Sequence, residues 1–99
     1  MKHPHRNVRI TAADKARLCA IGAEQDRGMG WLVARAVVAL AAQARAGDDL
    51  PEMADGGGHS QVSVVLTPAV AAALDYMTPR CGSSHAALRR AVRLALKEG

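Results

Sequence analysis

No phenylalanine occurs in these 99 residues, and Trp31 and Tyr76 are the whole of the aromatic content. Apolar residues still make up 49% of the chain. The core must therefore be assembled from Ala, Val and Leu, which suit closely packed helices better than a broad sheet. Cysteine is scarce as well. Cys19 and Cys81 fall in no Cys-x-x-Cys or Cys/His metal spacing, and they read as a small buried thiol and a turn residue. No apolar run approaches the roughly 20 residues of a membrane span. The opening Met-Lys-His-Pro-His-Arg lacks the apolar centre of a secretory signal. The expectation is a cytoplasmic protein with no membrane partner.

Catalytic groupings are missing too. There is no Gly-rich phosphate loop, no His/carboxylate pair at a useful spacing, and no close pair of acids outside one acidic stretch. Ser84 beside His85 reads as the start of a basic helix rather than as a nucleophile and its base. His3 and His5 around Pro4 are too few to hold a metal. The chain is read as no enzyme, with no metal and no cofactor.

What is present is uneven charge. The net charge is +4, and it is not spread evenly. Residues 1–47 hold eight Lys/Arg against three Asp/Glu, and residues 61–99 hold five against two. Residues 48–60 hold four acids and no base. Two basic halves joined by an acidic connector favour an anionic partner, nucleic acid first.

Each half has the same internal order. Residues 1–6 read as a basic arm. Asn7 to Thr11 then alternates polar and apolar, the period of a strand with Val8 and Ile10 facing inward and His5, Asn7 and Arg9 outward. Thr11-Ala-Ala-Asp14 has the form of a capping box, and the helix it opens is expected to run to about Ala23, ended by Gly22 and the polar residues after it. A second helix begins near Met29, with Val33, Ala36, Val37, Leu40, Ala41 and Ala44 on one face. Trp31, Val38 and Ala42 form a second apolar face. It is expected to lie under the first helix or the other half, and the alternative is a docking surface for a protein partner. Residues 47–60 read as a Gly-rich linker. If flexible, 14 residues span roughly 20 Å, enough to fold the halves together.

After the linker, Gln61 to Leu66 alternates again, with Val62, Val64 and Leu66 inward and Gln61, Ser63 and Val65 outward. Thr67-Pro68 is an N-cap followed by proline at the first helical position. Thr78 before Pro79 is expected to end that helix, and Gly82-Ser83-Ser84 to launch the last one. There Leu88, Ala91, Val92, Ala95 and Leu96 form the apolar stripe, and Arg89, Arg90, Arg93 and Lys97 lie away from it. Val8-Arg-Ile-Thr11 superposes on Val64-Val-Leu-Thr67 at an offset of 56 residues. One residue is lost at the turn, after which Arg35-Ala-Val37 falls on Arg90-Ala-Val92. A unit of under about 40 residues rarely closes a core alone, so two copies are expected to complete each other.

These junctions, together with Gly82-x-Ser84 and Leu88-Arg-Arg-Ala-Val92, resemble the ribbon-helix-helix family of DNA-binding proteins, twice in tandem. The resemblance implies a mostly α fold with a short two-stranded antiparallel β-ribbon, formed as an intramolecular pseudo-dimer. Units 1–46 and 61–99 would together make one compact domain. It further implies sequence-specific binding of double-stranded DNA, with the ribbon in the major groove. His5, Asn7, Arg9, Gln61, Ser63 and Val65 take the family's base-reading positions. Gly28, Met29 and Gly30, with Ser83, Ser84 and His85, take its phosphate-anchoring helix starts, and Arg6 in the arm is a further phosphate contact. Asp14 and Val65 depart from the family pattern, which has an apolar residue at the first position and a polar reader at the second. The implied roles are a transcriptional repressor or an accessory factor of a plasmid or conjugative element, with self-association on DNA. The alternative is a protein-interaction module, an antitoxin or antiactivator, on the same frame. The linker also permits two chains to swap halves.

Overall fold

The computed structural model describes residues 3–54 and 58–98. Met1 and Lys2 of the expected arm, Asp55, Gly56 and Gly57 of the expected linker, and Gly99 lie outside the described residues. Six elements follow in order: β1 (His5–Ile10), α1 (Ala12–Gln25), α2 (Met29–Arg45), β2 (Ser60–Val65), α3 (Pro68–Cys81) and α4 (Ser84–Glu98). The described residues are mostly helical, with a two-stranded antiparallel sheet. No described helix is long and apolar enough to cross a membrane.

The two strands pair with each other in the register His5 with Val65, Asn7 with Ser63, Val8 with Val62 and Arg9 with Gln61. Their alternation sends Val8, Ile10, Val62 and Val64 into the core, each at most 3% exposed. His5 and Arg6 belong to β1 rather than to an arm. The Leu66 N–H donates to the Pro4 carbonyl at 2.8 Å, which carries the ladder one rung further.

Threonine starts the first helix of each half. Thr11 Oγ1 accepts from the Asp14 N–H at 3.1 Å and Thr67 Oγ1 from the Val70 N–H at 3.4 Å. These two caps are 56 residues apart, as are the facing strand residues Asn7 and Ser63. Beneath the ribbon, Val33, Val37 and Leu40 of α2 meet Leu88, Ala91 and Val92 of α4 in one continuous cluster. The flanking helices are unequal. The buried positions of α3 are Val70, Ala73, Leu74 and Met77, whereas those of α1 are Leu18 and Gly22. Asp14 stands where α3 offers Val70, and a carboxylate there stays partly exposed because burying it unpaired would be costly.

Four local expectations need correction. Gly22 does not end α1, which continues to Gln25 and turns at Asp26, a residue in the left-handed region at φ 53. Gly22 is instead buried where the Arg27 carbonyl closes on it, leaving no room for a Cβ. Pro79 does not break α3, which runs on to Cys81 and stops at Gly82 with φ 97. A proline this near the end withholds one backbone donor, from Asp75, and the Thr78 hydroxyl donates to the Leu74 carbonyl at 2.8 Å, a bond of the kind that bends helices. Cys19 is exposed rather than buried, and Cys81 is half-buried at the end of α3.

The fourth correction concerns the linker. Its stretch Leu50–Ala54 lies along α4, with Pro51 and Ala54 buried. The Ala54 N–H donates to the Arg89 carbonyl at 3.0 Å. Arg89 Nε donates to the Ala54 carbonyl at 2.8 Å, and Arg90 Nη1 to the Pro51 carbonyl at 2.6 Å. Arg89 and Arg90, expected to lie away from the apolar stripe, are half-buried, and they hold the segment read as a linker.

The start of α2 presses on the sheet. A Cβ on Gly30 would collide with the Ser63 carbonyl of β2, so this approach requires glycine. Gly30→Ala should lower unfolding stability by about 1–3 kcal/mol, the usual effect of overpacking. Chemical denaturation of the two proteins, compared by midpoint and slope, checks it.

Candidate nucleic-acid interface

The strand register decides what the outer face of the ribbon displays. Because side chains alternate, residues opposite one another share a face. His5 and Val65, Asn7 and Ser63, and Arg9 and Gln61 are three facing pairs. Five of the six are exposed and Val65 is partly so. The six expected base-reading positions thus form one surface. Within it His5 Nδ1 lies 3.1 Å from Ser63 Oγ, a diagonal contact across the strands. Asn7 and Ser63 form the middle pair. The two ends are unlike: a charged guanidinium with an amide at one, an imidazole with an aliphatic side chain at the other.

The two expected anion positions flank this surface, one at each outer edge of the ribbon. At the edge of β2, α2 opens at Gly28, which provides no side-chain cap. Gly30 rests there on the Ser63 backbone, and Met29 packs partly on the core. At the edge of β1, Ser83 caps α4, its Oγ accepting from the Ala86 N–H at 3.0 Å. The Arg9 N–H, an edge donor without a strand partner, donates to His85 Nε2 at 3.1 Å. Arg6 points off the same edge, and its Nη1 donates to Ser84 Oγ at 3.5 Å. Arg6 thereby joins Ser83, Ser84 and His85 in one group, which its place in an arm did not foretell.

His85 must be neutral to accept from a backbone N–H. Its surroundings favour that state: burial, then the charges of Arg89 and Arg9, hold its pKa below the ordinary 6.5. The imidazole therefore acts as a fixed spacer between α4 and β1. Its counterpart at the other edge is Gly30, where backbone meets backbone directly.

Among the described residues, none covers the second apolar face of α2. Trp31 is 43% exposed and Val38 42%, against the expectation that α1 or the other half would bury them. Trp31, Val38 and Ala42 instead line a groove closed on its far side by Val65, Thr67 and Val70. Arg27 and Arg35 stack on the Trp31 ring at 4.9 and 5.5 Å from its centroid.

No protein-family model, curated protein or solved structure matches the chain.

The His85 contact makes stability depend on pH with a definite sign. A histidine whose folded pKa is depressed stabilises fully above its unfolded value, near 6.5, and that contribution is lost as pH falls through the lower folded value. The thermal midpoint should drop on acidification below pH 6.5, and His85→Gln should flatten that part of the profile. Thermal melts of both proteins between pH 8 and pH 5 check this.

Proposed function

We propose that this chain binds double-stranded DNA in a sequence-specific way, laying the β1–β2 ribbon into the major groove as two tandem ribbon-helix-helix units folded into an intramolecular pseudo-dimer. The observation that carries this reading is the register that sets His5, Asn7 and Arg9 against Val65, Ser63 and Gln61 on one outward face. A two-stranded ribbon fits the width of the major groove. The starts of α2 and α4 stand at its two edges, where backbone N–H groups and the positive dipole end suit phosphate oxygens. Gly28, Met29 and Gly30 anchor one strand of the duplex. Ser83, Ser84 and His85, joined by Arg6, anchor the other. Both basic halves then lie against the polyanion.

The reading surface is unequal, so the target is an asymmetric site. Arg9 donates to guanine, the commonest specific contact of an arginine in the major groove, and Val65 supplies apolar contact suited to a thymine methyl. A repressor and an accessory factor of a mobile element share this chemistry. The protein-interaction reading has one observation in its favour, the uncovered face of α2.

Selection of bound sequences from a random duplex pool should enrich one non-palindromic site. Binding to it should weaken steeply with salt, log K falling by about 0.9 per log salt for each phosphate contacted. Arg9→Ala should cost about 1–3 kcal/mol of affinity and relax preference at one base pair. A uniform loss over all sequences would assign Arg9 to a phosphate instead.

A further inference from the structure

The groove on α2 has a counterpart on α4, and that counterpart is filled. With the one-residue shift at the turn, Ala34, Arg35, Val38 and Ala42 of the groove correspond to Arg89, Arg90, Arg93 and Lys97, and Thr67 corresponds to Thr11. Leu50–Ala54 lies on the α4 surface and runs antiparallel to the helix. Leu50 and Pro51 share a cleft with Arg93, Leu96 and Lys97 near the far end, and Ala54 reaches Arg89 near the start. Side-chain nitrogens of Arg89 and Arg90 take its main-chain carbonyls, and Pro51 and Ala54 are buried against it.

The empty groove repeats one of the two side chains that hold this segment, with Ala34 standing where Arg89 donates to the Ala54 carbonyl. Arg35 occupies the place of Arg90, the donor to the Pro51 carbonyl. Val38 and Trp31 make the surface more apolar than its occupied twin, and the volume is about 770 Å³. From Gly30 to Ala42 the groove follows α2 for about 18 Å at 1.5 Å per residue. Five extended residues cover about 17 Å. An aromatic ring beside an apolar trough is a recurrent seat for proline-containing extended peptides. The only charge among the lining residues is Arg35, and Arg27 stands over the same ring. The segment held on α4, Leu50–Ala54, carries the acid Glu52 and directly follows Asp48 and Asp49.

We propose that the groove along α2 binds an extended, acidic, proline-containing segment of a partner protein, seated as Leu50–Ala54 is seated on α4. The inference rests on the equivalence of the two halves and not on DNA binding, so each can fail without the other.

The full chain is titrated with a synthetic peptide of residues 48–54, with the emission of Trp31, the single tryptophan, as the signal. The tethered copy already holds the α4 face at an effective concentration of about 1 mM, so the free peptide is directed to α2. The expected result is a saturable change in emission, weakened at least tenfold by Val38→Gln and by Arg35→Gln. A peptide with Asp48, Asp49 and Glu52 replaced by their amides should bind more weakly. Val38→Gln alters an exposed side chain, and its unchanged far-ultraviolet dichroism and melting show that the fold is kept. No saturable change up to about 1 mM, or binding that survives Val38→Gln, overturns the proposal. Sedimentation showing dimers that Val38→Gln abolishes also overturns it, assigning the groove to a second copy of this chain.

Discussion

The pairing of β1 with β2 is the constraint on which everything else in the molecule depends. Each strand is six residues long and has one strand neighbour, the other. A lone strand of that length leaves its backbone groups unpaired and its apolar face in water. When the two pair, Val8, Ile10, Val62 and Val64 become a single apolar sheet face that α2 and α4 cover together. The outer face is fixed by the same register, since a slip of one residue would exchange the buried valines for His5, Asn7 and Ser63. Core and candidate interface are therefore two sides of one ladder.

The helices convert this ladder into a rigid frame. Gly30 lets α2 touch the backbone of β2, and His85 bridges α4 to β1. The same join is made twice with different chemistry, close contact at one edge and an imidazole at the other. Similar asymmetry runs through the rest of the fold. Asp14 keeps α1 lightly buried where Val70 anchors α3. Arg89 and Arg90 hold the connector on α4, while the matching surface of α2 stays open.

Much of this was legible in the sequence because it is written in short-range periodicity. Alternation marked both strands and their inward residues, Thr11 and Thr67 marked two helix starts, and the apolar stripes of α2 and α4 marked the centre of the core. What could not be read depends on tertiary context. Pro79 suggested a break, but so near a helix end it removes one bond that the surroundings can spare. Gly22 looked like a terminator because its contact, the Arg27 carbonyl, comes from a turn whose path no local pattern gives. Residues 48–54 looked solvated because their acids and proline were visible, while their partners, the Arg89 and Arg90 guanidinium groups, are more than 30 residues away. For Trp31 and Val38 the sequence left burial and a docking surface both open, with burial expected, because hydrophobicity says nothing about whether a neighbour is at hand. The clustering of Arg6 with Ser84 needed the register itself.

Having both strands on a single polypeptide has a further effect. A ribbon shared between separate subunits comes apart on dilution, because its stability includes an association term that falls with protomer concentration. Here that term is replaced by closure of a loop between Ile10 and Ser60, whose entropy grows only slowly with length. Pairing of β1 with β2 within one chain therefore carries no concentration-dependent term, and the two edges differ in sequence, Gly30 at one and His85 at the other.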